Sequence, residues 1–229
     1  MPQQMILNVA TGDALSFESY YTSRANQDLI TLLTAFAEHS EAKQIFLWGE
    51  QFSGKTHLLQ ACCNQATNLQ QRVSYLPLKV LIAHGSGISR GLDDMDLVVV
   101  DDVDQILGNS EWEEALFDLI NHARTGQQRL LFSATENPRH LKCSLPDLAS
   151  RLIWGETYAL QSLSDDDKHL ALKQRASQRG FELNDRVLEY LSRHYPRDMG
   201  SLLSILDVLD QESIRQQAKI TVPFVKQVL

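Results

Sequence analysis

An apolar strand, a glycine-rich loop and the start of a helix follow one another in one stretch, Gln44-Ile45-Phe46-Leu47-Trp48-Gly49-Glu50-Gln51-Phe52-Ser53-Gly54-Lys55-Thr56. Residues 49–56 fit the pattern G-x-x-x-x-G-K-[ST], whose glycines let the backbone curl so that successive N–H groups point inward. Such a loop at the N-terminus of a helix binds phosphate. At average residue frequencies a chance match in a chain of this length is expected about once in a hundred chains. The sequence therefore predicts a nucleotide-binding P-loop.

The polar side chains of this motif have predicted roles. Lys55 supplies positive charge to the β- and γ-phosphates, and the Thr56 hydroxyl can ligate Mg²⁺. An acid at the end of a neighbouring strand is needed to hold the metal, and Asp101 and Asp102 follow the apolar run 97–100. We expect Asp101 to reach Mg²⁺ through its water shell and Asp102 to polarise the attacking water, a role for which many ATPases use the longer glutamate. We interpret the other acids of this region as solvated surface: Asp93, Asp94, Asp96 and Asp104.

Strands alternate with helices through the first two thirds of the chain. The run 97–100 is apolar throughout rather than alternating, which is typical of strands covered on both faces of a parallel sheet. We therefore predict an α/β fold, a parallel five-stranded sheet flanked by helices. The predicted helices span about 26–37, 54–69 and 112–124, and the predicted strands span 44–48, 73–76, 97–100, 130–133 and 157–160.

From about residue 161 nearly every segment is helical. Ser164 and Asn184 are typical residues at helix starts, Gly180 is typical of a helix end, and Thr221 with Pro223 is expected to begin a short final helix. The α/β part is therefore followed by a small all-helical domain. The predicted boundaries are a polar tail over 1–15, an α/β domain over 16–161 and a helical domain over 162–229.

Composition excludes several classes of protein. The chain has 229 residues, 43% hydrophobic and 22% charged, with a net charge of −8. These values exclude a disordered chain, a collagen-like repeat and a basic protein that coats nucleic acid. No apolar run approaches the roughly 20 residues that span a bilayer, and no signal peptide is recognisable. The three cysteines lack metal-binding spacing, so we expect a cytoplasmic protein with reduced thiols and no membrane partner.

From about Leu15 onward the sequence resembles the AAA+ ATPases related to the bacterial initiator DnaA, and most closely the regulatory Hda family. The similar segments are Phe17-Glu18-Ser19-Tyr20, Asn26-Gln27 and Gly54-Lys55-Thr56-His57-Leu58-Leu59. The resemblance implies an AAA+ domain followed by a helical lid. It also implies that Tyr20 and His57 join the nucleotide site with the P-loop residues, which are Gly49, Glu50, Gln51, Phe52, Ser53, Gly54, Lys55 and Thr56.

Two arginines acquire roles only through this resemblance. Residues 145–152 resemble the family's box VII, whose arginine corresponds to Arg151. In AAA+ assemblies that arginine projects onto the nucleotide of the next subunit, where a guanidinium can raise turnover by about 10³–10⁵-fold. Residues 197–203 resemble the start of the sensor II helix, so Arg197 is expected to reach the phosphates of its own site. Sensor I is assigned to Thr135, with Ser133 as the alternative, although Glu136-Asn137 departs from the commoner Asp-Arg.

The tail contains a second resemblance. Residues 4–9 fit the loose pattern Q-φ-x-L-x-φ of the peptide by which Hda proteins dock on the sliding clamp, with Gln4, Met5, Leu7 and Val9 as contacts. Met5, Asn8 and Val9 depart from the usual leucine-rich form. The sequence ends soon after the lid without a basic recognition helix, which argues against an initiator that reads duplex DNA.

The resemblance implies a regulator of replication initiation. With the DNA-loaded sliding clamp (the β subunit of DNA polymerase III), it would promote hydrolysis of DnaA-bound ATP, contacting DNA only through the clamp. Its own site would bind ADP or ATP with Mg²⁺, with weak ATPase activity. A DnaA/DnaC-type helicase loader and a self-contained ATPase are the alternatives, and the oligomeric state, including a homodimer that hides Arg151, stays open. We interpret Trp112 and Trp154 as core residues, with an interface position as the alternative.

Overall fold

The structure is a computed structural model that describes residues 15–39, 41–89 and 91–229. The predicted clamp-binding contacts Gln4, Met5, Leu7 and Val9 lie outside these residues. Within the described part of the chain, no helix is long and apolar enough to cross a membrane.

A five-stranded sheet with strand order β2-β3-β4-β1-β5 forms the centre of the first part of the chain. Every pair of neighbouring strands is parallel, with Phe46 of β1 opposite Phe132 of β4. This confirms the predicted fold class. The strands are β1 (Gln44–Trp48), β2 (Val73–Pro77), β3 (Leu97–Asp101), β4 (Arg129–Ala134) and β5 (Glu156–Ala159).

Helices cover both faces of the sheet, which explains why the central residues of β1, β3 and β4 are apolar on both faces. Successive residues of a strand point to opposite faces. Ile45 and Leu47 therefore pack with helices α1 and α2, whereas Phe46 packs on the other face with α4 and α5. The helices of this part are α1 (Gln27–His39), α2 (Lys55–Asn68), the short α3 (Leu78–Leu81), α4 (Ser110–Thr125) and α5 (Pro146–Leu152).

The C-terminal helices have a hydrophobic core of their own, which includes Leu172, Leu188, Leu206 and Val225. Three of them begin at the capping residues that the sequence predicts. Ser164, Asn184 and Thr221 each accept a hydrogen bond from the backbone N–H three residues further on. The helices are α6 (Asp165–Gln178), α7 (Asp185–His194), α8 (Met199–Gln216) and α9 (Val222–Val228).

The shared prediction of a core position holds for one of the two tryptophans. Trp112 is buried in the core against the sheet, as expected. Trp154 is 46% exposed, so its prediction was wrong. It follows the end of α5, and the Arg124 guanidinium carbon lies 4.8 Å from its ring centroid. A cation on one face of the ring, rather than apolar packing, is what holds this side chain.

Candidate nucleotide-binding site

The loop after β1 requires two glycines for different reasons. A Cβ on Gly49 would lie 2.7 Å from the carbonyl oxygen of Leu160. Gly54 has φ of +103°, and a Cβ there would lie 2.8 Å from Cε2 of Tyr20. Residues with a Cβ rarely adopt such backbone angles. Glycine at both positions therefore lets the loop curl tightly between the sheet and Tyr20.

Lys55 lies inside this curl and is only 6% exposed. Its Nζ donates hydrogen bonds to the carbonyl oxygens of Gly49 and Glu50, both at 2.8 Å. Burial lowers the pKa of Lys55, and the nearby charges of Asp102 and Asp101 oppose that shift. The loop therefore places a cation at the N-terminus of α2, where it can donate to phosphate oxygens.

Asp101, at the end of β3, accepts hydrogen bonds from three hydroxyl groups. Thr56 Oγ1 and the Tyr75 hydroxyl donate to its Oδ2, each at 2.8 Å, and Ser133 Oγ donates to its Oδ1. The side chain of Gln60 in turn donates to the Tyr75 hydroxyl at 3.3 Å. Burial and the charge of Asp101 raise the pKa of Tyr75, so the phenol stays protonated as a donor. Asp101 itself is 2% exposed.

The oxygen donors present here fit the predicted metal. Thr56 and Asp101 supply a hydroxyl and a carboxylate within 2.8 Å of each other at the mouth of the P-loop. Mg²⁺ in phosphate sites takes one or two such oxygens from the protein and completes its shell with water and substrate phosphate. No additional cluster of metal-binding side chains occurs in the chain as far as it is described.

Asp102 has an unusual backbone conformation, with φ of +59°. Its N–H donates to Ser133 Oγ at 2.9 Å. Its side chain lines the cavity next to the P-loop that Lys55 and Lys79 also line, which we call the phosphate cavity. Burial raises the pKa of Asp102, as does the neighbouring charge of Asp101, whereas the two lysines lower it. A half-buried carboxylate with a raised pKa next to a phosphate pocket is chemically able to accept a proton from water.

The two sensor I candidates occupy different places. Thr135 lines the phosphate cavity, and its hydroxyl donates to Asp104. Ser133 is fully buried and joins Asp101 to the backbone of Asp102. Asp104 is therefore half-buried and hydrogen-bonded, so its prediction as solvated surface was wrong. The one-turn helix after Asp102 (Val103–Ile106) turns this side chain back towards β4.

A second cavity adjoins the loop between the sheet and the helical part. On the sheet side it is lined by Tyr20, Gly54 and His57, and on the other side by Arg175 and Met199, among others. The rings of Tyr20 and His57 meet edge to face at 5.2 Å between centroids. Burial lowers the pKa of His57, assisted by the charge of Arg175 and opposed by a hydrogen bond with Ser16. Aromatic walls and a neutral imidazole suit a nucleobase.

The lid approaches the P-loop through Phe52 rather than through Arg197. A Cβ on Gly200 would lie 2.5 Å from Cδ1 of Phe52, so the ring of Phe52 sits directly on α8. The Nε of Arg197 donates to the carbonyl oxygen of Ser192 at 3.0 Å, and its guanidinium lies 3.5 Å from Asp165. In the structure, the side chain of Arg197 therefore lies along the lid.

Arg151 lies at the opposite end of β1 from the P-loop. The side chain of Gln44, the first residue of β1, donates to the carbonyl oxygen of Arg151 at 2.9 Å. The Arg151 guanidinium carbon lies 5.8 Å from the ring centroid of Phe117 on α4. Its Nε is buried without a hydrogen-bond partner among the residues that the structure describes.

Several residues of the site carry no sequence motif. Lys79 and Gln105 line the phosphate cavity with the predicted residues, which include Gln51. Lys79 follows the end of β2 by two residues, and ligands of open α/β sheets bind at the carboxyl ends of the strands. That rule could have identified Lys79. Tyr75 and Gln60 lacked such a signal because their partners depend on the order and register of the strands.

Family models cover most of the chain. Residues 12–159 match the model of the bacterial DnaA ATPase domain, and residues 165–229 match the model of the Hda lid domain. The chain belongs to the DnaA-related AAA+ proteins of the Hda type. A protein of Haemophilus influenzae, described as uncharacterized, is 39% identical over 232 residues, spanning 100% of this chain and 99% of its own length.

Solved structures agree with the fold of this Hda-type chain. Domain III of the replication initiation protein DnaA from Thermotoga maritima matches with a TM-score of 0.81 at 18% identity, covering 95% of this chain and 96% of that one. AMPPCP-bound DnaA from Aquifex aeolicus matches with a TM-score of 0.71 at 20% identity, covering 90% of this chain and 69% of that one. At these identities the similarity establishes the AAA+ fold.

Proposed function

We propose that this Hda-type protein regulates replication initiation by promoting hydrolysis of the ATP bound to DnaA. It acts in the cytoplasm together with the DNA-loaded sliding clamp and converts the initiator to its ADP form. Initiation is thereby regulated negatively. DNA is contacted through the clamp, on which the tail docks with Gln4, Met5, Leu7 and Val9.

The position of Arg151 carries this proposal. Gln44 and Trp48 lie about 13 Å apart, at the usual rise of about 3.3 Å per residue of strand. Arg151 is fixed to the Gln44 end, whereas the P-loop follows Trp48. An arginine in that place cannot serve the phosphates of its own chain. It is therefore available to the nucleotide of a neighbouring subunit, which we take to be DnaA.

The protein's own site binds ADP or ATP, with Mg²⁺ held through Thr56 and Asp101. The AMPPCP bound to the structurally similar DnaA supports nucleotide binding at this P-loop. Asp102 and Thr135 line the phosphate cavity, which supports assigning them to the hydrolytic step of a slow ATPase. Arg197 must swing away from Asp165 to reach the phosphates, and we propose that nucleotide binding draws it there.

The test measures hydrolysis of DnaA-bound ATP in the presence of clamp loaded on DNA. The wild-type protein accelerates hydrolysis, and Arg151→Ala abolishes the acceleration because a guanidinium on the transferring phosphoryl group is worth about 10³–10⁵-fold. Arg215→Ala is the control, since Arg215 is an exposed arginine of α8 paired with Glu212. It retains the acceleration.

Two results contradict the proposal. If Arg151→Ala accelerates hydrolysis as much as the wild type does, the arginine does not have the proposed role. No acceleration by folded, nucleotide-bound wild-type protein excludes the regulatory function and makes helicase loading the leading explanation for an AAA+ domain of the DnaA type.

A further inference from the structure

Tyr75 belongs to no motif of the nucleotide site, yet its hydroxyl hydrogen-bonds Gln60 and Asp101 within that site. In the parallel pairing of β2 with β3, Tyr75 is opposite Val99 and Pro77 is opposite Asp101. Residues two apart on a strand share a face. Tyr75 and Asp101 therefore both point towards α2, and the phenol spans the diagonal between the strands to Asp101 Oδ2 at 2.8 Å.

The direction of each hydrogen bond in this group follows from its chemistry. A carboxylate only accepts and an amide NH₂ only donates. The Tyr75 oxygen accepts from Gln60 Nε2, so its single proton goes to Asp101. Gln60 lies on α2 one turn after Thr56, the other donor to the same carboxylate oxygen. The phenol is thereby fixed from one side and fixes the carboxylate on the other.

We propose that Tyr75, oriented by Gln60, is a positioning residue for the magnesium site. It holds the Asp101 carboxylate in the orientation in which that group and Thr56 would hold the ion. Without the phenol, the carboxylate keeps Thr56 as the donor to Oδ2 and Ser133 as the donor to Oδ1, so it loses one of the three hydrogen bonds that orient it. Hydrogen-bond partners of metal ligands typically contribute about 10–100-fold to metal affinity. The inference rests on the proposed Mg²⁺-nucleotide site and is independent of any action on DnaA.

A purely structural role makes a different prediction. If the Tyr75 hydroxyl only satisfies a half-buried network, its removal lowers stability and leaves the response to Mg²⁺ unchanged. The measurement must therefore follow the metal. The Mg²⁺ concentration at half-saturation, in the presence of saturating ADP, reports the affinity for the metal and requires no catalysis.

The experiment uses the full-length protein with a fluorescent ADP analogue, first in EDTA and then during titration with Mg²⁺. Tyr75→Phe keeps the ring and removes the hydroxyl. We expect its affinity for the analogue in EDTA to equal that of the wild type and its half-saturating Mg²⁺ concentration to rise about tenfold. Gln60→Met removes the amide that orients the phenol, and we expect a smaller rise of about threefold.

Tyr158→Phe is the matched control. The Tyr158 hydroxyl also donates to a carboxylate, that of Glu156 on β5, away from the phosphate cavity. This variant keeps the wild-type response to Mg²⁺. An unchanged Mg²⁺ response in both Tyr75→Phe and Gln60→Met overturns the inference, and if Tyr75→Phe does not fold, Gln60→Met alone decides it. Failure of wild-type protein to bind the analogue, or to respond to Mg²⁺, contradicts the proposed nucleotide site as well.

Discussion

The two ends of β1 are built differently. At the carboxyl end, Lys55 donates to two carbonyl oxygens and Asp101 accepts from three hydroxyls of the same chain. Ser53 Oγ and Asp104 Oδ1 are buried there without partners among the described residues. At the amino end, Arg151 lies against the ring of Phe117, with its buried Nε unpaired within the described structure, and the neighbouring Trp154 is exposed.

This difference supports the proposal that a second molecule binds at the amino end. The carboxyl end already holds the charges that a nucleotide and a metal require. The Nε of Arg151 is enclosed by its own chain, but the residue as a whole is only half-buried, so an acceptor from a partner can approach it. We therefore propose that one end of the strand holds the protein's own nucleotide and that the other is completed by another chain.

The largest effect is expected from removing the cation at the carboxyl end. Lys55→Ala deletes the charge that meets the phosphates, and we expect the affinity for ADP to fall about 100-fold, since each charge-assisted hydrogen bond contributes about 1.5–3 kcal/mol. Titration with a fluorescent ADP analogue measures it. Lys43→Ala is the control because Lys43 precedes the other end of β1 and contacts Gln127. Equal losses in both variants would contradict the separation of the two ends.

An intermediate effect is expected from Glu113, which anchors the segment before α5. This fully buried carboxylate accepts hydrogen bonds from the backbone N–H groups of Gly108, Ser144 and Leu145. Glu113→Gln places an NH₂ against some of these donors, so we expect a loss of about 1–3 kcal/mol in the free energy of unfolding. Hydrolysis stimulated through Arg151 falls as α5 loosens, whereas the affinity for ADP stays unchanged. Urea unfolding and the two functional assays measure these changes.

The loss in the free energy of unfolding of Glu113→Gln depends on pH with a definite sign. Burial opposes ionisation of Glu113, but the three backbone donors outweigh it, so the net pKa lies below the usual value of 4.5. The carboxylate therefore stabilises the fold above pH 4.5, and the advantage of the wild type over Glu113→Gln shrinks as the pH falls through the lowered pKa. Glu114→Gln removes an exposed charge one residue further on and should match the wild type. A stability difference between the wild type and Glu113→Gln that grows as the pH falls would contradict the assignment.

The smallest effect is expected where the lid meets the P-loop. In Gly200→Ala the new Cβ collides with the Phe52 ring, an exposed side chain that can move. We expect the affinity for ADP to fall by less than about tenfold, because the ring gives way at a cost below about 1.4 kcal/mol. The double variant Phe52→Ala/Gly200→Ala should match Phe52→Ala alone. A further loss in the double variant would show that the ring is not what Gly200 accommodates.

The parts of this account that sequence could predict have local causes. The P-loop pattern specifies a curled loop at a helix start, continuous apolar runs specify buried strands, and the residues at positions 164, 184 and 221 cap helices. Each signal lies within a few residues of the structure that it produces. The fold class follows because such elements alternate along the chain.

The remaining parts depend on contacts between distant segments. The hydrogen bonds of Tyr75 and Ser133 to Asp101 require β2, β3 and β4 to be neighbours in a particular register, which no single segment specifies. The direction of Arg197 depends on where its long exposed side chain finds a partner on the lid. Trp154 was misplaced because its cationic partner, Arg124, is on another helix.

The affinity of Arg151→Ala for its own nucleotide is the decisive measurement of the difference between the two ends. If Arg151 serves the nucleotide of another chain, the variant binds the fluorescent ADP and ATP analogues within about twofold of the wild type. A loss of tenfold or more, which corresponds to about 1.4 kcal/mol, would place the arginine at its own P-loop and contradict the account.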